Sequence, residues 1–113
     1  MEDSLGVYVM QVASMLTGMH PQTMRKYERA GFLSPSRHCS IRMYSDDDIA
    51  RLKMIKRLVD DDGLNIAGVG LALNIRDGLL DMKEEINSSG MGNRMKERFT
   101  GLLDEMLNLI ESS

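Results

Sequence analysis

The sequence has a single cysteine, no apolar run long enough to cross a bilayer, and a formal net charge of only -3 over 113 residues. Each shortage excludes something. Cys39 has no partner for an intramolecular disulfide, so a disulfide framework is excluded and a reducing cytosol is expected. The pair His38-Cys39 does not make a transition-metal site, which needs three or four ligands and a second cysteine that the chain lacks. The acidic opening MEDSLG does not follow the basic-then-apolar order of a secretory signal, so a cytoplasmic, nucleoid-associated protein is the expectation. No nucleophile with its base, phosphate loop or pair of carboxylates at catalytic spacing is present, which argues against an enzyme and against a cofactor. The runs Asp46 to Asp48 and Asp60 to Asp62 adjoin helix ends and lack the ligand spacing of a calcium loop.

What is present is ordinary for one folded module: 42% hydrophobic and 27% charged residues, enough apolar content to exclude wholesale disorder. The small net charge hides an uneven distribution. Residues 1 to 59 carry nine Lys or Arg against six acids, and residues 60 to 113 carry five against eleven. A basic half beside an acidic half suggests one surface for a polyanion and another for assembly.

Residues 7 to 16, VYVMQVASML, fit either a short strand leading into a helix or one buried helix, and the residues that follow favour a helix. Thr17-Gly18 closes it. His20-Pro21 opens the next helix with proline in the first turn, where its missing N–H costs nothing, and Gly31 ends that helix. Two short helices across a tight glycine turn form a helix-turn-helix. The irregular FLSPSRHCSIRMY then reads as a short two-stranded wing. Ser45 and Asp48 form a capping box for a third helix whose buried stripe is Ile49, Leu52, Ile55, Leu58 and Val59. Lys53, Lys56 and Arg57 read as a solvated face of that helix. Asn65 is expected to cap a fourth, short helix.

Beyond it, Ile75, Leu79, Met82 and Ile86 step by 4, 3 and 4, the spacing of a coiled-coil seam. Residues 88 to 93, SSGMGN, break the pattern. Helical spacing resumes in a double stripe, with Met95, Phe99, Leu102, Met106 and Leu109 on one line and Leu103, Leu107 and Ile110 on the other. A turn at 88–93 with a helix folded back is the expectation. The domains expected are 1–74, DNA-binding, and 75–113, helices for dimerisation.

The stretch Met19 to Leu33 (MHPQTMRKYERAGFL), with Ser34-Pro35-Ser36-Arg37, Arg42-Met43-Tyr44-Ser45 and the acidic start of the third helix, resembles the MerR-type winged-helix transcription regulators. GMHPQT and the later DGLNIAG resemble its heat-shock repressor (HspR) branch. The resemblance covers roughly residues 7 to 75. It implies a mainly α fold, a winged helix-turn-helix with a short β wing followed by C-terminal dimerisation helices. It also implies a homodimer on an inverted repeat of double-stranded DNA, repressing chaperone genes with the chaperone DnaK as co-repressor. Thr23, Arg25 and Tyr27 match recognition-helix positions that touch DNA; Arg37, Arg42 and Tyr44 match wing positions that grip the backbone. His20, Gln22 and Lys26 join the expected DNA-binding set, and Ile75, Leu79, Met82 and Ile86 the dimerisation set.

The residue chemistry agrees with those roles. Arg25 carries a planar fork suited to a guanine edge or a phosphate. Tyr27 offers a ring to sugar and a hydroxyl to phosphate, while Arg37 and Arg42 neutralise backbone charge. The wing tip reads His38-Cys39-Ser40-Ile41, without the glycines usual there. Two other readings compete: a ligand- or metal-responsive activator of the same family, and an interaction or architectural module with nonspecific DNA contact.

Overall fold

In a computed structural model the described residues are 6 to 111, and they form the mainly α, winged helix-turn-helix architecture expected. The chain divides into two compact units, the first ending at Ile66 and the second beginning at Ala67. No described helix is long and apolar enough to cross a membrane.

The first unit opens with a strand, β1 (Tyr8–Val9), that leads into α1 (Met10–Thr17). The sequence favoured helix throughout this stretch. The difference arises because Val7 to Val9 find an edge to pair with: Val7 N donates to the Tyr44 carbonyl at 2.8 Å, and Tyr8 lies opposite Tyr44. A two-residue strand leaves no periodic trace, so only the tertiary partner reveals it. Helix α1 ends at Gly18, whose left-handed φ of 68° turns the chain so that the Met19 N–H, like that of Gly18, donates to the Ser14 carbonyl.

Helix α2 (Pro21–Arg29) follows, with His20 as N-cap: its Nδ1 accepts from the Gln22 N–H at 3.1 Å. Its other end is a complete Schellman motif. Gly31 N donates to the Glu28 carbonyl and Phe32 N to the Tyr27 carbonyl, with Gly31 at φ 83°. The apolar contact that accompanies such a motif is the stack of Tyr27 on Phe32, 6.0 Å between ring centroids.

The wing consists of β2 (Ser36–His38) and β3 (Ile41–Tyr44), and with β1 it makes an antiparallel sheet in the order β1-β3-β2. His38 pairs with Ile41, so the turn is two residues long. Both, Cys39 at φ 51° and Ser40 at φ 69°, are left-handed. This is the geometry of a type I′ turn, built here without the asparagine or glycine that adopt it readily. A non-glycine residue in this region costs about 1 kcal/mol or more. Replacing Cys39 by Asn together with Ser40→Gly is therefore expected to raise the stability of the first unit by about 1 kcal/mol, read as a higher urea midpoint; an unchanged midpoint would contradict the strain.

Helix α3 (Asp46–Asp60) has the capping box in full, Ser45 Oγ accepting from Asp48 N and Asp48 Oδ2 accepting from Ser45 N. Its buried side chains include Ile49, Leu52, Met54, Ile55 and Leu58. Helix α1 packs against α3, α2 and β3. Fully buried Ala13, Met24, Tyr44, Leu52 and Ile55 form the centre of this unit.

The second unit holds α4 (Ile66–Asn87) and α5 (Asn93–Glu111). The short fourth helix and the seam read separately from the sequence are one continuous helix of 22 residues, because nothing between Leu73 and Asp77 stops it. Residues 88 to 92 turn the chain, with Ser89 Oγ donating to the Ile86 carbonyl. Lys83 pairs with Asp104 at 2.7 Å and Arg76 with Glu111 at 2.6 Å. Residues advancing along one helix meet residues receding along the other, so the two run antiparallel. Leu103 and Leu107 of α5 are buried, whereas Met95, Leu102, Met106 and Leu109 are exposed.

Candidate nucleic-acid interface

One face of α2 gathers Gln22, Thr23, Arg25, Lys26 and Arg29 around a shallow, open depression of about 400 Å³. Helical spacing explains the grouping, since residues 22, 25, 26 and 29 fall within one stripe. Three of the five are cations and none is acidic. Arg25 is half-buried, its guanidinium held 3.7 Å from Met10 Sδ of α1, and its stem is thereby ordered before any ligand arrives. Lys26 lies 5.6 Å from the centre of the Tyr27 ring. Arg29 was not among the residues expected from the resemblance; its place three and four residues beyond Lys26 and Arg25 was the signal for it.

His20 stands at the N-terminus of the same helix. Its capping bond uses Nδ1 as acceptor, which leaves Nε2 carrying the proton and free to donate. A small cleft of about 190 Å³ lies beside it, lined by His20, Thr23, Tyr27, Lys56 and Asp60 among others. The cleft is not strongly cationic: Lys56 Nζ pairs with Asp60 at 2.9 Å, and that hydrogen bond holds the ammonium pKa above its ordinary value. Arg57 pairs likewise with Asp62 at 3.6 Å.

The wing brings Arg37 to the surface, where Nη1 reaches the Ser40 carbonyl at 3.5 Å. It does not bring Tyr44 there. Tyr44 is 0% exposed, and its hydroxyl donates to Glu28 Oε2 at 2.7 Å. Burial first, and then this bond to a carboxylate, push its pKa far above the ordinary tyrosine value. Arg42 is drawn to the same carboxylate, Nε standing 3.0 Å from Glu28 Oε1 without an aligned hydrogen-bond acceptor, so the contact is chiefly one of charge. Tyr27 is 5% exposed and stacked on Phe32. The Tyr27 ring is thus packed against Phe32, and Tyr44 and Arg42 are held beside the Glu28 carboxylate of α2. Aromatic burial outweighs surface display because each ring removes a large apolar area from water.

Two faces of the second unit carry apolar residues, and the one on α4 holds the four expected for dimerisation. On α4, Ile75 and Met82 are exposed and Leu79 and Ile86 half-buried. On α5 the exposed line of Met95, Leu102, Met106 and Leu109 runs past half-buried Phe99.

Residues 8–74 match the family described as MerR HTH family regulatory protein. Over 78 residues the chain is 38% identical to a candidate heat shock protein HspR from Streptomyces coelicolor, an alignment covering 68% of this chain and 52% of that protein. The chain spans about half the length of this curated relative.

Proposed function

Because the chain belongs to the MerR family of helix-turn-helix regulatory proteins, and is therefore a DNA-binding transcription regulator, we propose that it is a repressor of heat-shock and chaperone genes that occupies an inverted-repeat operator as a homodimer. The observation that carries the reading is the acid-free cationic face of α2, with Arg25, Lys26 and Arg29 around one depression and Arg37 exposed on the adjacent wing. The likeness to the Streptomyces protein supports the choice of target genes. In this reading α2 enters the major groove and Arg25 presents its fork to a guanine edge. Lys26, Arg29 and Arg37 neutralise phosphates and fix the register, with His20 Nε2 as a further phosphate donor. Gln22 and Thr23 supply polar contacts at the start of the helix. DnaK as co-repressor rests on the family resemblance, and its addition would tighten the operator complex.

Fluorescence anisotropy against an inverted repeat from a chaperone promoter, and against random duplex of equal length, tests the proposal. A specific regulator prefers its operator by about 10³ or more at physiological salt. Arg25→Ala is expected to cut operator affinity by about 10- to 100-fold, the worth of one bidentate base contact, and to change random-duplex affinity far less. Lys26→Ala should weaken both alike and flatten the salt dependence by about one unit of slope. An operator-to-random ratio near one would favour the nonspecific architectural module instead.

A further inference from the structure

We propose that Glu28 is a positioning residue for DNA reading: by holding Tyr44 and Arg42 it fixes the wing at one angle to the recognition helix, so that Arg25 and Arg37 engage the same half-site together. The inference rests on the DNA-binding role given above and adds to it the element that sets the geometry.

Glu28 lies on α2, yet its carboxylate turns away from the stripe of residues 22, 25, 26 and 29 toward β3. Each oxygen has its own partner there. Oε2 accepts the Tyr44 hydroxyl at 2.7 Å and Oε1 faces Arg42 Nε at 3.0 Å. The Glu28 side chain is only 14% exposed and that of Arg42 25%, so water screens the pair weakly and the contact resists exchange. Two partners spaced along one strand constrain rotation as well as distance, which a single bond does not.

Both partners sit where wing orientation is decided. Tyr44 is the last residue of β3 and pairs with Tyr8 of β1, while Arg42 lies directly opposite Arg37 in the β2-β3 ladder. Two arginines facing one another across a ladder repel. Glu28 offsets that repulsion by engaging Arg42, and the exposed member, Arg37, stays available to a phosphate. The recognition helix therefore carries one acid that binds no DNA, and that acid ties the helix to the strand bearing the wing.

Glu28→Gln keeps an acceptor for Tyr44 but removes the charge that holds Arg42. Tyr44→Phe keeps the ring and its packing but removes the other bond. With the folded state verified by far-UV circular dichroism, each variant is expected to lower the operator-to-random affinity ratio by about tenfold, the scale of one hydrogen bond to a charged group. Random-duplex affinity should hold or rise in Glu28→Gln, which removes a negative charge. The double variant should lose no more than the worse single, because both act through one lock. Hydroxyl-radical footprinting supplies the readout that a merely structural role would not move: protection at the outer, wing-contacted backbone fades while protection around the major-groove half-site persists. If wild type prefers its operator and both variants match it in ratio and footprint, the proposal is overturned and the DNA-binding reading stands. A wild type with no operator preference removes that reading and the proposal with it.

Discussion

Leu52→Ala is expected to lower the stability of the first unit by about 3 kcal/mol, within the range found for leucine truncations in packed cores. Leu52 is 0% exposed on α3, which packs against α1, and α1 in turn supports the recognition helix. The loss combines the transfer free energy of the removed methyl and methylene groups with the cost of the cavity they leave. For a small domain whose whole stability is about 5 to 15 kcal/mol, this is a large fraction. Tryptophan is absent from the chain, so the urea midpoint is best followed by far-UV circular dichroism. Lys53→Ala, one position along and exposed, should change stability by less than about 0.5 kcal/mol. Equal midpoints for the two variants would show that α3 does not organise the core as its packing indicates.

The parts of this fold legible in the sequence are those specified locally. Pro21 and Gly31 bracket α2 because one fixes φ at a helix start and the other tolerates a left-handed end. Ser45 and Asp48 announce α3 because their mutual capping needs only a three-residue spacing. The illegible parts depend on distant partners. Nothing within Val7 to Val9 reveals that Tyr44 and Met43 will pair with them, and nothing within IRMY distinguishes a tyrosine that grips DNA from one buried against α2. Nothing in the local sequence around Glu28 reveals that its partners, Arg42 and Tyr44, lie 14 and 16 residues away.

Charge illustrates the same limit. A division at residue 59 made the first half basic, but it cut through α3 and separated Lys56 from Asp60 and Arg57 from Asp62, pairs that the structure joins. Counted to Ile66, the boundary of the first unit, nine bases meet nine acids. The positive potential offered to DNA is therefore local to α2 and the wing tip. It survives because Glu28 is turned inward and Asp60 and Asp62 are spent on α3.

For the homodimer proposed above, Leu102→Glu combined with Met106→Glu is expected to give a monomer and to reduce operator affinity by about 10²- to 10⁴-fold, the gain that linking two half-site modules provides. Met95, Phe99, Leu102, Met106 and Leu109 step by 4, 3, 4 and 3 along α5, a heptad seam. The helix's other line is already occupied, since Leu103 and Leu107 are buried and Asp104 and Glu111 pair with α4. A line with Leu109 78% exposed gains nothing from its apolar character in an isolated subunit, whereas a second copy would remove it from water. Glutamates at its centre cost little when solvated but would stand unpaired in the assembled contact. Sedimentation equilibrium reads the mass directly. A double variant that remains dimeric would move the contact to the α4 seam of Ile75, Leu79, Met82 and Ile86, where Ile75→Glu with Met82→Glu would then be the pair that dissociates it.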